Sequence, residues 1–261
     1  MNKNILITEF NNYTKDYDLD DPKIKLKYAH TYRVATLCEV IAKSLNLSDD
    51  DVDIAWICGM LHDIGRFEQV RRYGTFFDSK SVDHAQFGAD LLFKEGLYER
   101  FVNDGDKDKK DLIEKAIRVH NVFRLPEDLS KREMMFSNIL RDADKIDILR
   151  VNCETPTEDV YNVTTDELKK AEISDDVIKA FKERRCAKRH DRTSAVDYLV
   201  GHICLTFELV YPKSLELMFS QGYLFKLLLF KSDNEKTNKW FKYMNHYMKE
   251  YMNECIKIRS M

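Results

Sequence analysis

Four of the seven histidines and two aspartates stand where helical segments begin or end, or on helices that could line one cavity. These residues are His30, His62, Asp63, His84, His120 and Asp144. Neutral imidazoles and carboxylates together suit divalent iron, manganese, cobalt, nickel or zinc. Their intervals are too long for a local zinc motif, so spacing alone leaves open whether they are metal ligands or ordinary core and surface residues.

The adjacent pair His62–Asp63 follows a nearly continuous apolar segment, residues 55–61. Burying a histidine and an aspartate at the end of such a helix is costly unless a partner or a metal compensates. Neighbouring residues do not face the same side of a regular helix, so one shared site requires the backbone to leave helical geometry there. We expect Gly65 to end this helix and to permit that change.

The same residues resemble the ligand pattern of the HD-domain superfamily of metal-dependent phosphohydrolases. That pattern is a histidine, a His-Asp doublet and a distant aspartate. Here His30, the doublet in GMLHDIGR and Asp144 in RDADKID match it in order, over about residues 28–150. The resemblance implies an all-α, HD-domain-like helical bundle around a metal site, and we expect the remaining helices to form a C-terminal extension.

Some members of the superfamily carry two further histidines between the doublet and the final aspartate, and His84 and His120 occupy those places. The resemblance then implies two metal ions. The four residues of the basic pattern would hold the first ion, and His84 and His120 would hold the second, with Asp63 as the bridge. A single ion, with His84 and His120 contacting the substrate phosphate, is the alternative.

The reaction implied is hydrolysis of a phosphate ester, of a nucleotide or another small phosphorylated metabolite, by a metal-activated water. The candidate catalytic residues are Asp63, which would hold the metal, and Arg66 and Lys145, which would bind phosphate oxygens. Asp83 and Asp147 would orient the ligating histidines through hydrogen bonds. The chain lacks the Gly-Tyr-Pro motif of the branch specific for cyclic di-GMP.

Two other classes of function stay open. Some similar helical proteins use the same ligand set to hold two iron ions and activate oxygen instead of water. A non-catalytic, metal-stabilised binding or signalling module would retain the metal but hydrolyse no ester. The cofactor is one or two divalent transition-metal ions, and the ligand types do not decide among Mn, Fe, Co, Ni and Zn.

Apolar residues recur with helical periodicity through nearly the whole chain, so we expect helices to position these residues. In the N-terminal half, the predicted helices cover residues 29–45, 52–64, 82–93, 112–120 and 131–150. Ser48 and Ser81 are the predicted N-caps of the second and third. The segment 66–80 lacks periodicity and predicts a loop, in which Arg71, Arg72 and nearby aromatic residues either cover a nucleotide base or pack on the core.

After residue 150 the chain first becomes richer in polar and charged residues, with only short predicted helices. Longer stretches of helical periodicity then return. The predicted helices of this C-terminal part cover residues 165–171, 175–185, 194–209, 215–230 and 235–258. We expect residues 1–150 to form the HD-like metal-binding core and residues 151–261 to pack on it as one continuous domain. The basic run 182–192 is interpreted as a solvated face, with contact to an anionic substrate as the alternative. The Met and Tyr stripe in 240–252 is interpreted as core or as a homodimer contact.

Composition excludes several classes of protein. The net charge of −3 argues against a dedicated nucleic-acid binder, and only 8 Gly and 4 Pro argue against an all-β fold. No apolar run approaches the roughly 18 residues of a membrane span, and the first ten residues lack a signal-peptide pattern. The six scattered cysteines favour reduced thiols. We therefore expect a cytoplasmic protein.

Overall fold

The computed structural model describes residues 3–161 and 163–259, and helices account for all of its regular secondary structure in those ranges. The all-α prediction is therefore confirmed. The chain divides into two compact units at Asp144 and Lys145. Whether the C-terminal helices belong to one continuous domain with the core stays a prediction.

The first unit contains all six candidate metal ligands. Its α-helices, numbered in chain order, are α1 Lys3–Thr14, α2 Pro22–Ser44, α3 Asp49–Leu61, α4 Ile64–Tyr73, α5 His84–Ala89, α6 Tyr98–Phe101, α7 Lys107–Arg118 and α8 Lys131–Glu154, which continues across the boundary. A 3₁₀ turn at Asp78–Lys80 precedes α5, and a π turn at Asp90–Lys94 follows it.

The second unit consists of shorter helices and one long terminal helix. They are α9 Thr157–Tyr161, α10 Thr165–Lys170, α11 Asp175–Lys182, α12 Ala195–Ile203, α13 Pro212–Gln221, α14 Tyr223–Leu228 and α15 Glu235–Arg259. On α15, Met244 and Met248 are buried, which supports the core interpretation for these two residues of the Met and Tyr stripe, whereas Tyr243 is exposed. A homodimer contact stays a prediction. No described helix is both long enough and apolar enough to cross a membrane.

Helix α3 is the buried centre of the first unit. Its side chains from Ile54 to Leu61 are all buried, as the apolar run predicts. Ser48 is its N-cap, because the Ser48 hydroxyl accepts a hydrogen bond from the Asp51 amide at 3.2 Å. Gly59 packs directly on α2, since a Cβ there would lie 2.5 Å from the Cα of Ala35. This close approach brings α2, which carries His30, against the end of α3, which leads into His62.

The prediction for Gly65 is wrong. Helix α3 already ends at Leu61, the doublet forms the turn, and α4 begins at Ile64, so Gly65 lies inside the next helix. A Cβ on Gly65 would lie 2.7 Å from the Cα of Gly88. Gly65 is therefore needed for the contact between α4 and α5, not for a helix end. The predicted loop 66–80 is likewise helical as far as Tyr73, where Gly74 ends the helix with a φ of 65°.

Other boundaries near the candidate site also differ from the prediction. His30 lies in the interior of α2, which begins at Pro22 behind the N-cap Asp21. Asp83, not Ser81, caps α5, because its Oδ1 accepts hydrogen bonds from the amides of Ala85 and Gln86. Helix α7 begins at Lys107, five residues before its predicted start, so charged residues supply its first turn. Charged residues carry no apolar periodicity, which explains why pattern reading missed these starts.

Candidate metal centre

Asp63 lies in the middle of the six predicted ligands, and its two carboxylate oxygens face different groups. Its Oδ2 is 3.6 Å from His30 Nε2 and 3.5 Å from His62 Nε2. Its Oδ1 is 3.6 Å from His84 Nε2 and 3.9 Å from His120 Nε2. The carboxylate therefore connects two sets of imidazoles, as a bridging ligand must.

The first half of the centre consists of His30, His62 and Asp144. The Oδ1 of Asp144 is 3.2 Å from His30 Nε2 and 3.9 Å from His62 Nε2. One potential ligand atom from each of the three residues lies within 4.8 Å of the others. Both histidine rings are fully buried, and the Asp144 side chain is 18% exposed.

The second half of the centre consists of His84 and His120, whose Nε2 atoms are 3.1 Å apart. His84 is the first residue of α5, and His120 lies in the turn that follows α7. Both are nearly completely buried. His62 joins the halves, because its ligand atom also lies within 4.8 Å of those of Asp63 and His120.

Hydrogen bonds at Nδ1 fix the tautomers of three rings. His62 Nδ1 donates to the carbonyl of Gly59 at 2.8 Å, and His120 Nδ1 donates to that of Ile117 at 2.7 Å. His84 Nδ1 donates to the carboxylate of Asp78 at 2.6 Å. Since Nδ1 carries the proton in each of these hydrogen bonds, the Nε2 atoms have lone pairs directed toward the centre. This arrangement is typical of histidine metal ligands.

The pKa shifts keep these ligands in their metal-binding forms. Burial, followed by the nearby rings of His84 and His62, lowers the pKa of His120 to about 3. Burial and then Arg66 lower the pKa of His84. Burial alone would raise the pKa of Asp63, but Lys27 and His62 hold it well below its usual value. His84 and His120 are therefore neutral imidazoles and Asp63 is an ionised carboxylate at neutral pH.

The donor set fits divalent transition metals. The Nε2 atoms of His84 and His120 both direct lone pairs at the same small region, and two neutral rings in these tautomers cannot hydrogen-bond to each other there. His62 Nε2 is buried and has no hydrogen-bond partner among the described residues. Buried imidazole nitrogens beside carboxylates are costly without a cation and well suited to one.

Arg66 is held beside Asp63 by several other groups. Its guanidinium Nε is 3.6 Å from Asp63 Oδ1. Its NH1 donates to Gln69 Oε1, the carbonyl of Phe76 and Asp78 Oδ1, at 2.7, 2.7 and 2.9 Å. Asp78, which sequence analysis missed, thus joins Arg66 to His84. Nothing in the pattern of the aperiodic segment 74–83 distinguishes Asp78 from other exposed polar residues.

Lys27 is a second cation at the centre that sequence analysis missed. Its Nζ is 2.6 Å from Asp63 Oδ2, and its side chain is 15% exposed. The ring of Phe76 lies between the two cations, with Lys27 Nζ 5.5 Å and Arg66 Cζ 5.7 Å from the ring centroid. Lys27 precedes His30 by three residues on α2, a spacing that places both on one helix face.

Arg141 holds the turn that carries His120. Its NH1 donates to the carbonyls of Val119, His120 and Val122 at 3.2, 3.0 and 2.5 Å. The guanidinium is buried and lies at the C-terminus of α7, where carbonyls lack helical partners and a positive charge is favoured. Arg141 also precedes Asp144 by three residues on α8. Arg141 therefore connects the turn that carries His120 to α8, the helix that carries Asp144.

The other predicted residues lie as follows. Asp83 does not bind a ligating ring; it caps α5 and accepts a hydrogen bond from the Asn121 amide at 3.0 Å, so it holds the backbone next to both histidines of the second half. Lys145 belongs to the second unit, where its Nζ donates to the carbonyl of Glu208 at 3.3 Å. Asp147 is buried. The phosphate-binding role of Lys145 and the orienting role of Asp147 stay predictions.

Arg71 and Arg72, the residues predicted to cover a base or pack on the core, both bind the buried carboxylate of Glu68. Their guanidinium groups also lie over the rings of Tyr17 and Phe87. These contacts favour the packing interpretation. Among the cysteines, Cys38, Cys58 and Cys204 are buried free thiols, as predicted.

The chain was compared with protein families, curated proteins and solved structures. The family model described as HD domain matches residues 28–152. No curated protein and no solved structure gives a significant match. The matched range contains all six residues of the centre, together with Arg66, Arg141 and Lys145, and begins one residue after Lys27.

Proposed function

We propose that this chain, which belongs to the HD-domain superfamily through residues 28–152, is a metal-dependent phosphohydrolase acting on a small phosphate ester. The observation that carries the proposal is Asp63, whose two oxygens lie between the imidazoles of the two halves. A bridging carboxylate between two nitrogen-rich sites supports two divalent ions. Two adjacent ions are the arrangement used to displace phosphate esters by water.

The geometry supports the following assignment of ligands. His30, His62, Asp144 and Asp63 Oδ2 would hold one ion, and His84, His120 and Asp63 Oδ1 the other. Divalent ions supply Lewis acidity toward a phosphoryl oxygen and lower the pKa of bound water, so that hydroxide forms near neutral pH. Iron, manganese, cobalt, nickel and zinc all match the nitrogen and oxygen donors.

The residues of the chain itself have distinct tasks. Asp63 fixes the separation of the two halves, and Asp78 keeps the lone pair of His84 pointed inward. Arg66 stands beside Asp63 Oδ1 with its NH1 already engaged by three acceptors, which favours a fixed guanidinium that presents positive charge to the phosphate. Burial excludes bulk water from the imidazoles and strengthens each of these interactions.

The test combines elemental analysis of the purified protein with a panel of phosphate monoesters and diesters, assayed with Mn, Co, Ni, Fe and Mg. We expect bound transition metal and hydrolysis of at least one ester. Asp63→Ala should abolish both, because it removes the ligand common to the two halves. Asp111→Ala, an exposed aspartate on α7, is the matched control and should change neither.

Unchanged activity in Asp63→Ala would contradict the proposal. Oxygen consumption by an iron-loaded protein without ester hydrolysis would identify the oxygen-activating class. Retained metal with neither activity would identify the non-catalytic module.

A further inference from the structure

We propose that Lys27 binds the substrate phosphate directly, with its ammonium group donating to a phosphoryl oxygen beside Asp63. This inference rests on the proposed phosphohydrolase function and names a further substrate-binding residue. Lys27 lies one residue outside the matched family range, so the family pattern does not assign it a role.

The position of Lys27 directs its ammonium group into the centre. It lies on α2 one helical turn before the ligand His30, and its Nζ reaches Asp63 Oδ2 at 2.6 Å. The ring of Phe76 lies against it on another side. With only 15% of the side chain exposed, the ammonium group is confined to the edge of the centre and does not sample bulk solvent freely.

The partner of Lys27 is also a metal ligand. Asp63 Oδ2 is the oxygen that faces His30 and His62, so an ion in the first half would compete with the ammonium group for the same lone pairs. Once the ion is bound, two positive charges lie close together in a largely buried place. Such an arrangement is unfavourable unless an anion joins them.

The charges around the centre specify the kind of anion. Two carboxylates, Asp63 and Asp144, neutralise one divalent ion, whereas the positive charges of Lys27 and Arg66 balance the negative charges of Asp78 and Asp83, which lie beside His84. With two ions, the loaded centre therefore keeps a net positive charge. A phosphate group, with several acceptor oxygens and up to two negative charges, satisfies the ammonium group and the metal together.

A purely structural role for Lys27 predicts something different. If Lys27 only neutralises the buried carboxylate, its removal frees Asp63 for metal and leaves anion binding unchanged. If it binds phosphate, its removal weakens phosphate binding while the metal content stays equal or rises. Metal content and phosphate affinity, measured separately, therefore distinguish the two roles.

The experiment is calorimetric titration of inorganic phosphate into the metal-loaded protein, with metal content measured on the same samples. Lys27→Met should weaken phosphate binding about tenfold, since one charge-assisted hydrogen bond is lost. Lys27→Arg should keep most of the affinity, because the charge and donors remain. Lys25→Met, on the exposed side of the same helix, is the matched control and should bind phosphate like the wild type.

In kinetics with the best ester of the panel, Lys27→Met should raise KM more than it lowers kcat. If Lys27→Met does not fold, Lys27→Gln replaces it. Thermal unfolding measures whether each variant is folded. Wild-type phosphate affinity in a folded Lys27→Met or Lys27→Gln protein overturns the inference even if the chain is a phosphohydrolase. Conversely, Lys27-dependent phosphate binding without ester hydrolysis leaves this site standing and removes the proposed function.

Discussion

The two halves of the metal centre are built in different ways. In the first half, His30 and Asp144 project from the interiors of α2 and α8, two long helices. In the second half, His84 begins a six-residue helix and His120 follows the end of α7. Long helices present the first pair, whereas the second pair lies at helix ends that depend on hydrogen bonds to Asp78 and from Arg141. The second half should therefore be the easier one to disrupt without unfolding the protein.

The largest expected effect comes from His62, a ligand of the first half that also lies beside the second half. Its ligand atom lies within 4.8 Å of those of His30 and Asp144 and also of those of Asp63 and His120, so His62→Ala should remove all tightly bound metal and all turnover. Elemental analysis after dialysis measures the first effect, and the ester panel measures the second. A variant that still retains one ion per chain would show that the halves are more independent than the position of His62 implies.

A smaller effect should separate the halves. His120→Ala removes a ligand from the second half only, so metal should fall from near two ions per chain toward one. The control is His190→Ala, since His190 is 77% exposed and belongs to the other unit. A wild-type content of one ion that neither His120→Ala nor His84→Ala alters would refute the two-ion arrangement. It would favour the one-ion alternative, in which His84 and His120 contact the substrate phosphate.

The smallest effect should come from the support of the second half. Arg141→Met leaves every ligand in place but removes the hydrogen bonds to the turn of His120. We expect affinity for the second ion to fall about 10- to 100-fold, the usual cost of losing a group that orients a ligand. The first ion should stay bound.

The same variant should lower the free energy of unfolding by about 1–3 kcal/mol, because buried carbonyls lose their donor. Metal titration and thermal unfolding measure the two effects. Arg132→Met, a half-exposed arginine on the same helix, should change metal affinity little. Equal loss of both ions in Arg141→Met would mean that the halves share one support.

Sequence reasoning identified the residues of the centre better than the groups that support them. The helical class followed from 3.6-residue periodicity, and the six candidate ligands followed from the resemblance carried by GMLHDIGR, RDADKID and the order of the histidines. Asp78 and Arg141 escaped notice because their partners are a distant ring and distant backbone carbonyls. Such contacts exist only after the chain has folded, and no local pattern encodes them.

The errors about Gly65 and segment 66–80 have a common physical cause. A glycine after an apolar run is typical of a helix end, yet here tertiary packing between α4 and α5 requires it. Helix α4 is short, and four of its ten residues are charged, so its few apolar residues were taken for part of a loop. Those apolar residues, Ile64, Phe67 and Val70, are buried, and Glu68 adds ion pairs with Arg71 and Arg72.

The backbone contact between Gly65 and Gly88 affects a distance within the candidate metal centre. Gly65 comes two residues after Asp63, and Gly88 comes four residues after His84. The distance between α4 and α5 at this contact therefore sets how far His84 lies from the doublet. A methyl group at either position would lie within 3 Å of the opposite backbone, so α4 or α5 would have to shift. The geometry of the candidate metal centre would thus change through a contact made by neither its histidines nor its aspartates.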